Sequence, residues 1–292
     1  MARLASGRAS RTARMTAAIR HRHHVGGAKP LVFDDAHAWL FLDLPSLMMA
    51  TPTPVSDWAF GRMLGPVRGI EGEVLARSAY VEEALTAGLA EGLGQVILLG
   101  AGFDTTALTH AESGCTFYEV DHPATQAEKQ AVLARHPALQ QNTRFVPVDF
   151  TKDDLVASLV AAGFDPKRPA LVSWLGVVMY LDQAVTVATL ASLRTILAPG
   201  SAVIFDAYPR REEIVPEERA MFAAMRAFTA SRGEPMIGAF NSPAFAESMT
   251  NSGWRIDEIV DGDAMRSRWF ANQPRIIHPP RSVLFYRLVA GL

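Results

Sequence analysis

Apolar runs alternate with amphipathic stretches along most of this chain. Strand-like runs fall at 96–100, 116–121, 144–148, 170–175 and 201–207, and two more, at 255–260 and 282–289, follow a longer gap. Helix-like stretches lie between them at 123–135, 152–162 and 182–197. The last ends at Pro199-Gly200, a breaker pair placed where a strand must restart. This alternation predicts an α/β fold with a mostly parallel sheet and helices on both faces. Such sheets take ligands at the carboxyl ends of their strands, where strand order reverses. Two regions fall outside the pattern. Residues 12–93 precede the first strand and contain PSLMMATPTPVSDW, which reads as a loop crossing an apolar surface. Residues 209–253 contain EERAMFAAMRAF (217–228), which sets Met221, Phe222, Met225 and Phe228 at helical spacing, for a helix packed on the sheet or for a substrate lid.

The first two strand-like runs carry the clearest chemistry. Val96 to Leu99 ends at Gly100-Ala101-Gly102, a helix-like stretch follows, and Thr116 to Val120 ends on Asp121. Glycines at a strand end let backbone approach a ligand, and an acid about 20 residues on suits a ribose hydroxyl pair. The third glycine of the dinucleotide fingerprint is missing; Phe103-Asp104-Thr105 stands there instead. The paired acid favours a nucleoside over an ordinary tight turn. Gly100, Asp121, Asp149 and Trp174 all fall at the expected binding edge.

LLGAGFDT followed by FYEVDHP resembles the leucine carboxyl methyltransferase-like family of S-adenosylmethionine (SAM) enzymes, nearest its bacterial branch for polyketide and other natural-product O-methylation. Further segments recur in the family's order: TAAIRHRHHVGGAKPLVFDDAHA (16–38), ARSAYVEEAL (76–85), RFVPVDF (144–150), AGFDP (162–166), SWLGVVMYL (173–181) and LAPGS (197–201). The resemblance covers roughly residues 12–208. It implies a class I SAM methyltransferase fold, Rossmann-like, with a mostly parallel seven-stranded sheet under a helical cap. A basic tail (1–11) would precede one methyltransferase domain (12–292), made of an N-terminal helical cap (12–93), a SAM-binding core (94–208), a lid insert (209–253) and final strands (254–292).

The resemblance also implies site roles. Asp121 would accept from the ribose hydroxyls, or cap the helix at 123–135. Asp149 would hold the adenine amino group with Phe150 beside the ring; its alternative is to cap the helix near Lys152. Gly100, Ala101 and Gly102 would face the methionine portion, and Trp174 lies at the same edge. Arg77 would clamp the cofactor carboxylate, where a bidentate guanidinium fixes orientation as well as charge, with Arg20 a second candidate for that end. Leu175 departs from the family's phosphatase methyltransferases, which carry a cofactor-contacting glutamate there. Leucine cannot hold an ammonium, and a phosphatase-type substrate loses support.

Composition fits a soluble cytoplasmic enzyme: 292 residues, 49% hydrophobic, with a net charge of −2 that gives no reason to expect nucleic acid or a membrane surface. Cys115 is the sole cysteine, so no intrachain disulfide forms and it reads as a small buried hydrophobe. The longest apolar stretch, 170–181, is too short to span a bilayer. Seven cations and no acid occur before Asp34, which suggests a transit peptide or, since family-like sequence starts near Thr12, a basic tail. No metal ligand set is evident.

Methyl transfer from a sulfonium is an in-line displacement. A carboxylate acceptor, with pKa about 4, arrives ionised and needs no base, whereas a phenol near 10 does. The fourth-strand motif offers Trp174, Tyr180 and Tyr208 is near the same edge, without a histidine; His110 and His122 read as structural. This favours methyl-ester formation on a small-molecule or peptide acceptor, with Tyr180 and Tyr208 positioning it. A phenol or hydroxyl acceptor and a non-catalytic SAM-binding protein stay open. A nicotinamide oxidoreductase would need GxGxxG and a Tyr-x-x-x-Lys pair, and neither occurs.

Overall fold

The computed structural model describes residues 11–291 apart from 68, 151, 232, 240 and 241; the expected basic tail lies outside these but for its last residue. Four helices come first: α1 (Arg11–Gly26), α2 (Leu44–Ala50), α3 (Pro54–Leu64) and α4 (Ile70–Ala90). The alternating unit follows as β1 (Gln95–Leu99), α5 (Thr106–Thr109), β2 (Thr116–Asp121), α6 (Pro123–Leu133), β3 (Thr143–Pro147), α7 (Leu155–Ala161), β4 (Leu171–Trp174), α8 (Gln183–Arg194) and β5 (Ala202–Ala207). The chain ends with α9 (Arg219–Ala230), α10 (Ser242–Asn251), β6 (Trp254–Asp261), α11 (Gly262–Trp269) and β7 (Leu284–Ala290).

The seven strands form one sheet in the order β3-β2-β1-β4-β5-β7-β6. Strands β1 to β5 run parallel, and β7 is antiparallel to both β5 and β6. Strand order reverses between β1 and β4, which pair Val96 with Leu171, and that opens a crevice at their carboxyl ends. Strands β1, β4 and β5 are buried along their length because both faces are covered, whereas the edge strands β3 and β6 also carry exposed positions; alternate side chains divide between the two faces. Leu98, Phe117, Leu171 and Ile204 join one core with α4, through Leu75 and Tyr80. Ile97, Tyr118, Val172 and Phe205 join the other with Leu159, Leu190 and Phe245, from α7, α8 and α10.

Three expectations need correction. PSLMMATPTPVSDW is helical, not a loop: Asp43 caps α2, Thr53 forms a capping box at the start of α3, and a proline stands in the first turn of each. Only α5, four residues long, follows the glycine turn, and its N-cap Thr105 makes no side-chain capping bond. The helix expected from 152 begins at Leu155, because Asp154, accepting from Ala157 N, is its cap.

Candidate active site

A cavity of about 340 Å³ opens at the reversal crevice, with the glycine turn, the ends of β2 to β4, α1, α4 and α9 in its wall. Gly100 and Gly102 have φ of 68° and 46°. A Cβ at Gly100 would meet Val177 Cγ2 at 2.3 Å, so glycine is required on two counts. At Gly102 the neighbour is Ala13, at 3.3 Å from a built Cβ, which lays the start of α1 across the turn.

Asp121 braces that turn. Gly102 N donates to its Oδ2 and His122 N to its Oδ1, both at 2.6 Å. Burial pushes the Asp121 carboxyl up against these two bonds. Its capping alternative falls away, because His122 caps α6 through Nδ1 at 3.2 Å from Ala124 N. Asp149 accepts from Lys152 N and Asp153 N through its carbonyl and pairs with Lys152 Nζ at 3.0 Å, while Asp154 takes the capping role. Phe150 is partly exposed in the cavity wall beside it. Trp174 is fully buried against Phe205 at the end of β4.

The two arginines differ in how they are held. Arg20 donates from Nε to Asp35 Oδ2 at 2.7 Å and from Nη2 to the Phe103 carbonyl at 2.6 Å, so it ties α1 to the glycine turn. Burial opposes ionisation of Asp35, yet Arg20 beside it holds that carboxyl below its usual range. Arg77 is bound through Nη2 alone: to Glu73, to Asp206 Oδ2 at 2.6 Å and to Tyr208 Oη at 3.0 Å. Its Nε is buried without a hydrogen-bond partner among the described residues, and its Nη1 lies 3.2 Å from a built Gly176 Cβ.

Residue spacing did not reveal Glu73, Asp206 or Glu234. Glu73 lies one turn before Arg77 on α4, and Asp206 stands near the end of β5 as Asp121 does on β2, so an acid at a strand end was the available signal. Burial pushes the Glu73 carboxyl up, with Arg77 opposing. Burial also raises the phenols of Tyr180 and Tyr208, so both stay protonated donors. Glu234 accepts from the Thr12 hydroxyl, joining the start of α1 to the wall after α9. Met225 and Phe228 of α9 line the cavity, whereas α10 packs its Phe245 and Met249 into the opposite core. His110 pairs with Glu82 at 2.9 Å, outside the cavity wall. Burial pushes the Cys115 thiol up to about 11, which leaves it inert at neutral pH.

The family model described as leucine carboxyl methyltransferase matches residues 13–194. The chain belongs to the leucine carboxyl methyltransferase family. YktD of Bacillus subtilis, assigned by name to the S-adenosyl-L-methionine-dependent methyltransferases, is 29% identical over 225 residues, 76% of this chain and 72% of its own. A Mycolicibacterium smegmatis protein assigned by name to the same enzymes is 30% identical, covering 65% of this chain and 62% of its own. The fold is shared with a solved structure titled as a methyltransferase from Thermobifida fusca, with TM-score 0.58 and 19% identity over 99% of this chain and 97% of that one.

This methyltransferase uses S-adenosylmethionine, and its residues fit that cofactor. The glycine turn and Asp121 meet at one strand edge, and Arg77 keeps an unpaired Nε. No helix among the described residues is long and apolar enough to cross a membrane, and no group of three metal-ligating side chains occurs among them.

Proposed function

We propose that this methyltransferase transfers the methyl group to a hydroxyl or phenol oxygen of a small, largely apolar acceptor held between Tyr180, Tyr208 and α9. The observation that carries this is the charge of the wall. Arg20 and Arg77 in the wall are already paired with buried carboxylates, Asp35 for the first and Glu73 and Asp206 for the second, and Glu234 adds a further acid to the wall. A carboxylate acceptor would lie beside Glu234 with both wall arginines already committed. The sequence argument for a carboxylate rested on a missing base, and Glu234 supplies a candidate from the far side of the fold.

Bound S-adenosylmethionine supplies an electrophilic methyl group on a sulfonium. The chain's own residues hold and align. Arg77 would take the cofactor carboxylate, Asp121 the ribose hydroxyls, and Asp149 with Phe150 the adenine. Met225, Phe228 and Met236 exclude water, Tyr180 orients the acceptor oxygen, and Glu234 accepts its proton. Residues 12–292 work as one catalytic unit, with α1 and the α9 segment as its cap. A second reading, methyl-ester formation on a carboxylate, is favoured by the family's description. Alignment alone would then suffice.

The deciding experiment incubates the protein with methyl-labelled S-adenosylmethionine and a panel of phenols, alcohols and carboxylic acids, then treats the product with mild alkali. An ether that survives alkali, with Glu234→Gln slower by roughly 100-fold or more, supports the hydroxyl reading. An alkali-labile product formed equally by Glu234→Gln establishes the ester. S-adenosylmethionine binding without product from any source would leave a non-catalytic binding protein.

A further inference from the structure

The cluster around Arg77 is unbalanced. Glu73 and Asp206 are both fully buried and both pair with the one guanidinium. Two carboxylates on one cation leave a negative charge in excess, and an uncompensated buried charge is expensive. Asp206 has a further donor, Gly176 N, at 2.9 Å from Oδ1, and stands outside the cavity wall. Glu73 is different. Its Oε1 receives Tyr208 Oη and Arg77, but Oε2 has no hydrogen-bond partner among the described residues, and the side chain lines the cavity. The neighbouring buried cations are committed elsewhere: Arg20 to Asp35, and Lys129 to Glu119 at 2.7 Å. Leu175, at the end of β4, offers no charge. A cation on the ligand would complete the cluster.

We propose that Glu73 binds the α-ammonium group of S-adenosylmethionine. This rests on the reading that Arg77 takes the cofactor's α-carboxylate. Carboxylate and ammonium share one carbon of the ligand, and Glu73 and Arg77, one turn apart, share one face of α4. The bound amino-acid end would then meet a matched pair, guanidinium to carboxylate and carboxylate to ammonium. Asp206 would anchor Arg77 from behind.

The test is calorimetric binding of the full chain to S-adenosylhomocysteine and to its deaminated analogue, which keeps the carboxylate and lacks the amine. Wild-type protein should bind the analogue about 10- to 100-fold more weakly, as expected for a lost hydrogen bond to a charged group. Glu73→Gln should weaken S-adenosylhomocysteine by a similar factor and leave the analogue unchanged. Equal wild-type affinity for the two ligands overturns the proposal without any variant, which covers the case in which Glu73→Gln fails to fold. A variant that loses both ligands equally also overturns it, since Glu73 would then serve only to hold Arg77. Wild-type protein that ignores S-adenosylhomocysteine altogether would sink the cofactor reading itself, a result distinct from failed discrimination.

Discussion

Protonation of one histidine sets a lower pH limit on the N-terminal segment. His23 is buried, and its Nε2 accepts from Val32 N at 3.0 Å, which only a ring unprotonated at that nitrogen does. Burial, with Lys29 adding to it and Asp34 opposing, lowers its pKa from 6.5 to about 4. The unfolded chain then takes the proton more readily than the folded one. Stability should be intact above pH 6.5 and fall as pH drops toward 4, by up to about 3 kcal/mol. Denaturant unfolding between pH 7.5 and 4 should show this decline, and His23→Gln, which keeps an acceptor without titrating, should flatten it. An unchanged slope in that variant would assign the acid sensitivity to other groups. Arg77 admits an equally local test. Arg77→Ala should weaken S-adenosylmethionine and S-adenosylhomocysteine alike and barely touch methylthioadenosine, which lacks the amino-acid end. Equal loss for all three would make Arg77 a support of the fold.

Among the elements, the second strand and its helix carry a buried ion pair that fixes the glycine turn. Lys129 Nζ lies 2.7 Å from Glu119 Oε2 and donates to the Asp104 carbonyl at 2.6 Å. Burial pushes the Glu119 carboxyl up to about 7, with Lys129 opposing. Lys129→Met should cost about 3–5 kcal/mol near pH 8, because an unpaired carboxylate stays buried. The cost should shrink as the pH falls and Glu119, freed of the opposing cation, takes a proton more readily than it does in the wild type, and adding Glu119→Gln should recover part of it. Urea titrations of both variants at pH 8 and 6 decide the matter. The strands, α6, α8 and the core of α9 were legible because their apolar runs and breakers report burial directly. The segment 44–64 was not, since Pro45 and Pro54 read as loop punctuation where they are first-turn residues after caps. Gly100, Asp121 and Asp149 were legible as strand-end residues. Glu73, Asp206 and Glu234 were not, because burial, not spacing, brings acids from α4 and the stretch after α9 to one cavity and sets Asp206 of β5 against Arg77 behind it.

Across the whole molecule, the first helix is the part least able to hold itself. Helix α1 has no acid in its first turn and places Arg11 and Arg14 at the end where the helix dipole disfavours cations, with His23 and His24 in its last turn. Its anchors are all tertiary: Arg14 to Glu128, Arg20 to Asp35 and the Phe103 carbonyl, and Arg22 to Asp57. Those anchors converge on the glycine turn and on α3 and α6, so α1 is ordered only as far as its neighbours are. Ala13 lies against the turn and Thr12 reaches Glu234, which makes α1 a roof over this part of the cavity. A ligand that stabilises the turn should therefore slow the opening of α1 along with the global unfolding that exposes the sheet. In hydrogen exchange, saturating S-adenosylhomocysteine should protect residues 11–26 at least as strongly as the glycine turn itself. Protection confined to the ends of β1, β2 and β4, with α1 exchanging as in the free protein, would show that the roof is not coupled to the cofactor.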